Sequence, residues 1–345
     1  MLDDLKYIHQ RDAQDALGIA EKQWQQLEHK FDTSSWNLKA QDIDNIVYGA
    51  MGGSALAALV SQSWPGYDMP FEISRNYHIP RYVNERTLFI AASYSGNTEE
   101  TLSALAEAEG HNAKIVVIAG GGKLAEVAKD KGYPLLDFPK VVQPRYAVLA
   151  NLKAICAVLD AVAPGKDNTY SKSLENEGGF LKESVKDWIP TVPTNNNPAK
   201  KLANELAGKS VVVYAGPMLS SAAYKWKISC NENAKNVAWW NELPEFDHNE
   251  LMGWSSHPIE KPYALVELRS KLEHPRVQKR FEVGERLLSG RRPTPNVIEV
   301  QGKTLLDQLV WALAFGDFVT MYLALLNNVN PGTSDIVEKF KKQLS

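Results

Sequence analysis

Ile46-Val47-Tyr48-Gly49-Ala50-Met51-Gly52-Gly53-Ser54 holds, in order, a short apolar run, a glycine turn and a hydroxyl residue where a helix can start. The same order returns further along. Residues 87–92 (TLFIAA) are a second such run, followed by the turn Ser93-Tyr94-Ser95-Gly96-Asn97-Thr98 and a helical stretch over 99–109. Residues 114–119 (KIVVIA) lead into Gly120-Gly121-Gly122 and a helix over 123–131 that stops at Gly132. Residues 71–74 and 133–138 read as further short strands, and 145–162 as a long helix. Strands alternating with helices at this rhythm predict parallel β-α-β units, hence an α/β fold with helices on both faces of a mainly parallel sheet.

Outward from this block the character changes on both sides. Residues 1–40 read as a polar helical segment with Leu5, Ile8, Leu17, Ile19, Trp24 and Leu27 as scattered anchors. Residues 164–200 gather Pro164, Gly165, Gly178, Gly179, Pro190, Pro193, Asn195-Asn196-Asn197 and Pro198, the composition of a connector. The alternation then restarts, with strands at 210–215, 264–269 and 296–300, helices at 220–231, 275–288 and 303–326, and a helical tail over 335–344. Val213-Tyr214-Ala215-Gly216-Pro217-Met218-Leu219-Ser220-Ser221 repeats the opening pattern of strand, glycine turn and serine. Alone this is a weak repeat; with the matching order of elements it points to a duplicated α/β domain. The expected organisation is an N-terminal helical segment (1–40), a first three-layer domain (41–163), a linker (164–200) and a second domain with a helical tail (201–345).

The length of 345 residues suits two domains, and 44% hydrophobic with 23% charged residues is an ordinary globular composition. A formal net charge of −3 creates no global field toward nucleic acid or an anionic membrane, so neither is expected as a partner. Two cysteines, Cys156 and Cys230, both in helical stretches, fit a reducing compartment rather than a disulfide framework. The opening MLDDLKYIHQRDAQD has no apolar signal core, and the apolar stretch 305–326 is interrupted by Asp307, Gln308 and Asp317. A buried helix is expected there rather than a membrane span, and the chain is expected to be cytoplasmic.

Two strand-to-helix turns carry the chemistry. Gly52-Gly53-Ser54 and Ser93–Thr98 fall at the carboxyl ends of strands, where open α/β sheets bind ligands. A helix N-terminus there offers unpaired N–H groups and about half a positive charge. Glycine lets the backbone approach an anion, and Ser54, Ser93, Ser95 and Thr98 add hydroxyls, a donor set suited to a phosphate monoester. Serine and glycine also serve as plain caps and turns, and Gly52-Gly53-Ser54 fits either role. Asn97 and Glu99 read as local caps, Tyr94 as packing, and Gly120-Gly121-Gly122 as turn chemistry. Nucleotide folds are disfavoured: G-x-x-x-x-G-K-[ST] is missing, G-x-G-x-x-G does not follow the first strand, and the next strand ends in Ser74-Arg75 with no acid for a ribose.

The pair MGGS and SYSGNTEETL resembles the sugar isomerase (SIS) domain, and the chain from about residue 40 onward resembles the bifunctional phosphoglucose/phosphomannose isomerase family. The resemblance implies two SIS domains and a metal-free, cofactor-free aldose–ketose isomerase. It would interconvert glucose 6-phosphate and fructose 6-phosphate, and mannose 6-phosphate as well, through a cis-enediol. Such chemistry needs acid–base help for ring opening, a base for the C1/C2 proton and a charge to stabilise the enediolate. Asn231-Glu232-Asn233-Ala234-Lys235 resembles the family's N-E-N-A-K, where Glu is the base. Leu243-Pro244-Glu245-Phe246-Asp247-His248-Asn249 resembles its L-P-E-x-x-H-N, where His assists ring opening from the partner subunit, implying a homodimer. Arg145, after Gln143-Pro144, matches the residue that stabilises the enediolate.

The ending Asn330-Pro331-Gly332-Thr333-Ser334-Asp335 resembles the family's N-P-x-x-T-P, which places its catalytic lysine on Lys341. Here Ser334 and Asp335 stand where the family has Thr and Pro. The family's tolerance of both C2 epimers is attributed to room beside that Thr, so Ser334, or Thr333 on a one-residue shift, is the expected epimer pocket. Taken without the resemblance, Glu232 and His248 also read as solvated surface groups, Arg145 as a surface arginine and Lys341 as helix-end charge. Glu242, Glu245 and Asp247 crowd one loop, but the metal patterns His-x-x-x-His and H-E-x-x-H are missing, and no metal is expected. Three rivals remain in view: a non-catalytic sugar-phosphate sensor, an amino-sugar phosphate isomerase, and the glucosamine 6-phosphate amidotransferase. The last needs an N-terminal cysteine where this chain has Leu2, and sensors pair with a basic helical module where residues 1–40 are acidic.

Overall fold

The computed structural model describes residues 1–138, 144–163, 169–255 and 262–344, and it divides into two compact units, Met1–Lys22 with Phe180–Ser345 and Gln23–Gly179. Along the chain, α1 (Leu5–Arg11) and α2 (Ala16–Glu21) come first. The central unit follows: α3 (Trp24–Glu28), β1 (Asn45–Gly49), α4 (Gly52–Ser63), β2 (Phe71–Ser74), β3 (Thr87–Ser93), α5 (Glu99–Gly110), β4 (Lys114–Ala119), α6 (Gly122–Lys131), β5 (Leu135–Asp137), α7 (Val148–Val162) and α8 (Tyr170–Asn176). After α9 (Gly178–Val185), which straddles the division, come α10 (Pro198–Leu206), β6 (Ser210–Ala215), α11 (Ser220–Glu232), β7 (Ala238–Glu242), α12 (Phe246–Ser255), β8 (Tyr263–Arg269), α13 (Pro275–Leu287), β9 (Asn296–Glu299), α14 (Leu305–Leu326) and α15 (Asp335–Leu344).

The central unit is a parallel sheet of order β2-β1-β3-β4-β5. All of β3 is buried, and all of β1 but its first residue. Val47, Phe89, Ala91 and Val117 on one face pack with Ala104, Leu105 and Ala108 of α5 and Leu124, Ala125 and Ala128 of α6, while α4 and α7 lie together in the other helical layer. Because β2 lies on one side of β1 and β3 on the other, the strand order reverses between β1 and β3. The turns that leave these two strands therefore flank the crevice where open α/β sheets take ligands.

The other unit repeats the plan with four parallel strands, β7-β6-β8-β9. Tyr214, Leu265, Phe246, Val277 and Phe281 form the core under α12 and α13, and α10 and α11 pack on α14. By length and composition α14 could cross a membrane, yet almost all of it is buried inside the unit. Its polar residues each have a task. Asp307 completes a capping box with Thr304, Gln308 accepts from Ser270 Oγ at 2.5 Å, and Asp317 pairs with Lys225.

Three elements differ from the sequence reading. The stretch 164–200 contains helices: Asp160 accepts the N–H groups of Tyr170 and Ser171 at 2.9 Å, Thr169 caps α8, Gly178 and Gly179 open α9, and Asn197 caps α10. Its Pro164 and Gly165 lie outside the described residues. β7 is a strand that the residue pattern does not predict, because AWWNE sits at a sheet edge and alternates poorly. Met1–Lys22 sorts with the unit formed by the second half of the chain, where Tyr7 Oη donates to the Leu325 carbonyl at 2.7 Å and Lys200 meets Asp3 at 3.1 Å.

Candidate active site

In the central unit, the turn after β3 forms a hydroxyl network. Ser93 Oγ lies 2.8 Å from Thr98 Oγ1 and 3.4 Å from Ser95 Oγ, and accepts the Gly96 N–H at 3.1 Å. The turn after β1 joins it, since Tyr94 N–H donates to Ser54 Oγ at 3.3 Å. Ser54 and Ser93 are buried, Thr98 is half-buried and Ser95 is exposed, so the network runs from the core to the surface. Thr98 is the N-cap of α5, yet its side chain does not cap the helix, and no side chain caps α4 either. Two helix N-termini thus offer N–H groups beside four hydroxyls, an anion-binding geometry.

Glycines make this packing feasible. Gly96 has φ +68°, and a Cβ there would stand 1.7 Å from the Gly121 carbonyl oxygen, so the hydroxyl turn and the triglycine turn interlock backbone to backbone. Asn97 caps across this contact, its Oδ1 accepting Lys123 N–H at 3.1 Å. A Cβ on Gly53 would lie 3.2 Å from the Pro144 carbonyl, which puts the Pro144–Tyr146 turn beside Gly52-Gly53-Ser54. Arg145 is therefore next to the cradle. It is 2% exposed, with its guanidinium 4.8 Å over the Tyr146 ring, and not the surface arginine of the alternative reading. Gln143 lies outside the described residues.

The equivalent turn of the other unit, after β6, is filled. Glu273 is buried, its carboxylate accepts Met218 N–H at 2.8 Å, and a Cβ on Gly216 would come 2.4 Å from its Oε1. Burial pushes its carboxyl above the usual range despite that bond. The repeat seen in sequence thus holds an internal carboxylate where the first copy has hydroxyls.

That unit has a cleft of its own, about 810 Å³, at the end of α11. Glu232, the last residue of α11, lines it with Lys235, Thr333 and Ser334. Two sequence stretches a hundred residues apart are thereby brought together. A polar ladder holds α11 on α14: Lys225 pairs with Asp317, Ser229 Oγ donates to Asp317 at 3.2 Å, and Asn233 Nδ2 donates to Thr320 Oγ1 at 3.0 Å. Past the helix, Asn327 Nδ2 donates to the Ala234 carbonyl at 3.0 Å. Trp226 Nε1 donates to the Ala312 carbonyl at 2.8 Å, over Gly316, where a Cβ would come 2.3 Å from the indole nitrogen.

His248 does not line this cleft among the described residues; it is exposed in the first turn of α12. The carboxylates around it are engaged, Asp247 with Arg280 at 2.8 Å and Glu245 with Asn249 at 2.9 Å. Lys341 falls on α15, but its side chain lies outside the described residues. Cys156 and Cys230 are free and buried, and burial raises both thiols, that of Cys230 to about 12, which disfavours the reactive thiolate. Lys235 stands out in sequence only as part of a motif; its position in the cleft carries no signature in the local residue pattern.

Residues 195–344 match the family described as bacterial phospho-glucose isomerase C-terminal SIS domain. The chain is 30% identical over 330 residues to a bifunctional phosphoglucose/phosphomannose isomerase of Aquifex aeolicus, covering 94% of this chain and 98% of that protein. It is 32% identical over 315 residues to one of Caldicellulosiruptor bescii, covering 90% and 92%. Among solved structures, a glucose-6-phosphate isomerase like protein from Thermus thermophilus superposes with a TM-score of 0.66 at 17% identity, over 99% of this chain and 98% of that one, a likeness of fold.

Proposed function

Because the chain belongs to the bifunctional phosphoglucose/phosphomannose isomerase family, we propose that it interconverts fructose 6-phosphate with glucose 6-phosphate and with mannose 6-phosphate through a cis-enediol. It is an isomerase built from two SIS-type α/β units. Gly53, Ser54, Ser93, Ser95 and Thr98 hold the phosphate, with the N-termini of α4 and α5 supplying backbone N–H groups. Glu232 moves the proton between C1 and C2. Arg145 stabilises the enediolate, and its buried position next to Gly53 supports that role. His248 and Lys341 assist ring opening. The exposure of His248, away from the Glu232 cleft, fits its action from the partner subunit of a homodimer. Thr333 and Ser334 form the epimer pocket.

The observation that carries this reading is that Glu232, Thr333 and Ser334 line one cleft. The test starts from fructose 6-phosphate with chelator present and follows glucose 6-phosphate and mannose 6-phosphate separately. Glu232→Gln should lower turnover by about 10²–10⁴-fold while sugar-phosphate binding persists. Turnover at the wild-type level in that variant would remove Glu232 from the mechanism.

A further inference from the structure

Lys235 is held in the left-handed backbone region, with φ +50°. A residue with a Cβ pays on the order of 1–2 kcal/mol there, and just past a helix end glycine is the usual occupant. The ammonium group gives a reason for lysine. Its Nζ donates to the carbonyls of Glu232 at 2.9 Å and Asn233 at 3.2 Å, at the end of α11. It also reaches the carbonyls of Asn330 at 2.5 Å and Thr333 at 3.0 Å, in the loop before α15, its three N–H groups shared among the four oxygens. Helix-terminal carbonyls are the negative end of the helix dipole, and a compact ammonium with rotatable donors suits several converging oxygens better than the planar fork of arginine.

Each end of this clasp touches a residue of the cleft. On one side is the peptide group of Glu232 itself. On the other is Thr333, whose carbonyl is bonded to the nitrogen of Ser334. The far side of the loop is fixed separately, with Asn330 Oδ1 accepting Gly332 N–H and Asn330 Nδ2 donating to Gln14, both at 2.7 Å. The loop is thus pinned to the N-terminal segment on one side and to the helix carrying Glu232 on the other.

We infer that Lys235 is a positioning residue that sets the Thr333 and Ser334 hydroxyls against the Glu232 carboxylate, and through them sets turnover and the balance between the two C2 epimers. This rests on the reading of Glu232 as the base and of Thr333 and Ser334 as the epimer pocket. The clasp itself does not.

The experiment compares wild type, Lys235→Gly and Lys235→Met. Glycine relieves the left-handed backbone while removing the ammonium, which offsets part of the lost bonding, so that variant should keep the fold. With fructose 6-phosphate, both variants should lose at least tenfold in kcat with KM within threefold. The ratio of mannose to glucose product should shift at least threefold, and ethylammonium should recover part of the lost rate in Lys235→Gly. Amide hydrogen exchange over residues 330–336 should quicken at least tenfold in both variants, with the strands of the sheet unaffected. If Lys235→Gly exchanges like wild type over 330–336 and keeps both kcat and product ratio within twofold, the inference is overturned. If wild type itself turns over no sugar phosphate, the functional reading fails, while the exchange comparison still decides the clasp.

Discussion

Removing Asp317 should be among the most damaging single changes in the unit formed by Met1–Lys22 and Phe180–Ser345. Its side chain is 2% exposed and pairs with Lys225, which is 1% exposed, between α11 and α14. Lys225 also donates to Ser229 Oγ at 2.9 Å, so the pair is set in a small polar island in an otherwise apolar seam. In Asp317→Ala the ammonium stays in that seam without its carboxylate. Breaking a buried pair from one side costs about 3–5 kcal/mol. For a unit of this size, each kcal/mol moves the midpoint by roughly 2–4 °C, so a fall of about 6–20 °C is expected. Lys225→Met strands the carboxylate instead and should cost a similar amount. The double variant Lys225→Met with Asp317→Ala leaves no orphaned charge and should be more stable than either single variant. The assay is thermal and urea unfolding of all four proteins, following tryptophan fluorescence and circular dichroism together. A loss under about 1 kcal/mol in Asp317→Ala, or a double variant as poor as the two losses added, would refute the reasoning, because an uncompensated buried charge would then not be the cause.

Two further outcomes follow from the same kind of accounting. Ser95→Ala and Thr98→Val each remove one hydroxyl from the cradle, and a hydrogen bond to a charged group is worth about 1.5–3 kcal/mol, so kcat/KM for fructose 6-phosphate should fall roughly 10- to 150-fold per change in steady-state kinetics. Glu273 has its carboxyl raised by burial, so the folded protein holds that proton more tightly than the unfolded chain. Its contribution to stability is full below the unfolded value of about 4.3 and is lost as pH rises through the raised folded value. Glu273→Gln should therefore gain on wild type as pH rises through that interval and hold a constant margin above it, read from thermal midpoints between about pH 4.5 and 8.

What the sequence exposed is what the backbone decides locally. An apolar run, a glycine turn and a hydroxyl cap are readable because each is a nearest-neighbour demand, and β1, β3, β4, β6 and the turns after them stand where those demands put them. β7 was hidden because an edge strand with Trp239 half-exposed has neither a continuous apolar run nor clean alternation. The placement of Met1–Lys22 was hidden because it rests on contacts over long sequence separations, the packing of α2 on α14 and the bond of Tyr7 to Leu325. Glu232 could be singled out as a residue by its motif, yet nothing local to that motif states how its side chain is held.

The helix that carries Glu232 is held by polar pairs, of which the sequence showed only Asp317, as an interruption of an apolar helix. An all-apolar seam between α11 and α14 would accept neighbouring registers at little cost, since one aliphatic side chain replaces another with small penalty. Lys225 with Asp317, Ser229 with Asp317, Asn233 with Thr320 and Asn327 with the Ala234 carbonyl do not allow that. A slip of one turn would leave several buried polar groups unpaired, each costing about 1–3 kcal/mol. The ladder climbs α11 at 225 and 229 and ends at Asn233, the residue after Glu232, so the backbone that carries Glu232 is set by polar pairs placed up to two turns away. Asp317 and Thr320 in the buried helix thus bear on where the proposed proton-transfer group stands, and a variant that makes this seam wholly apolar should keep the fold while loosening the cleft.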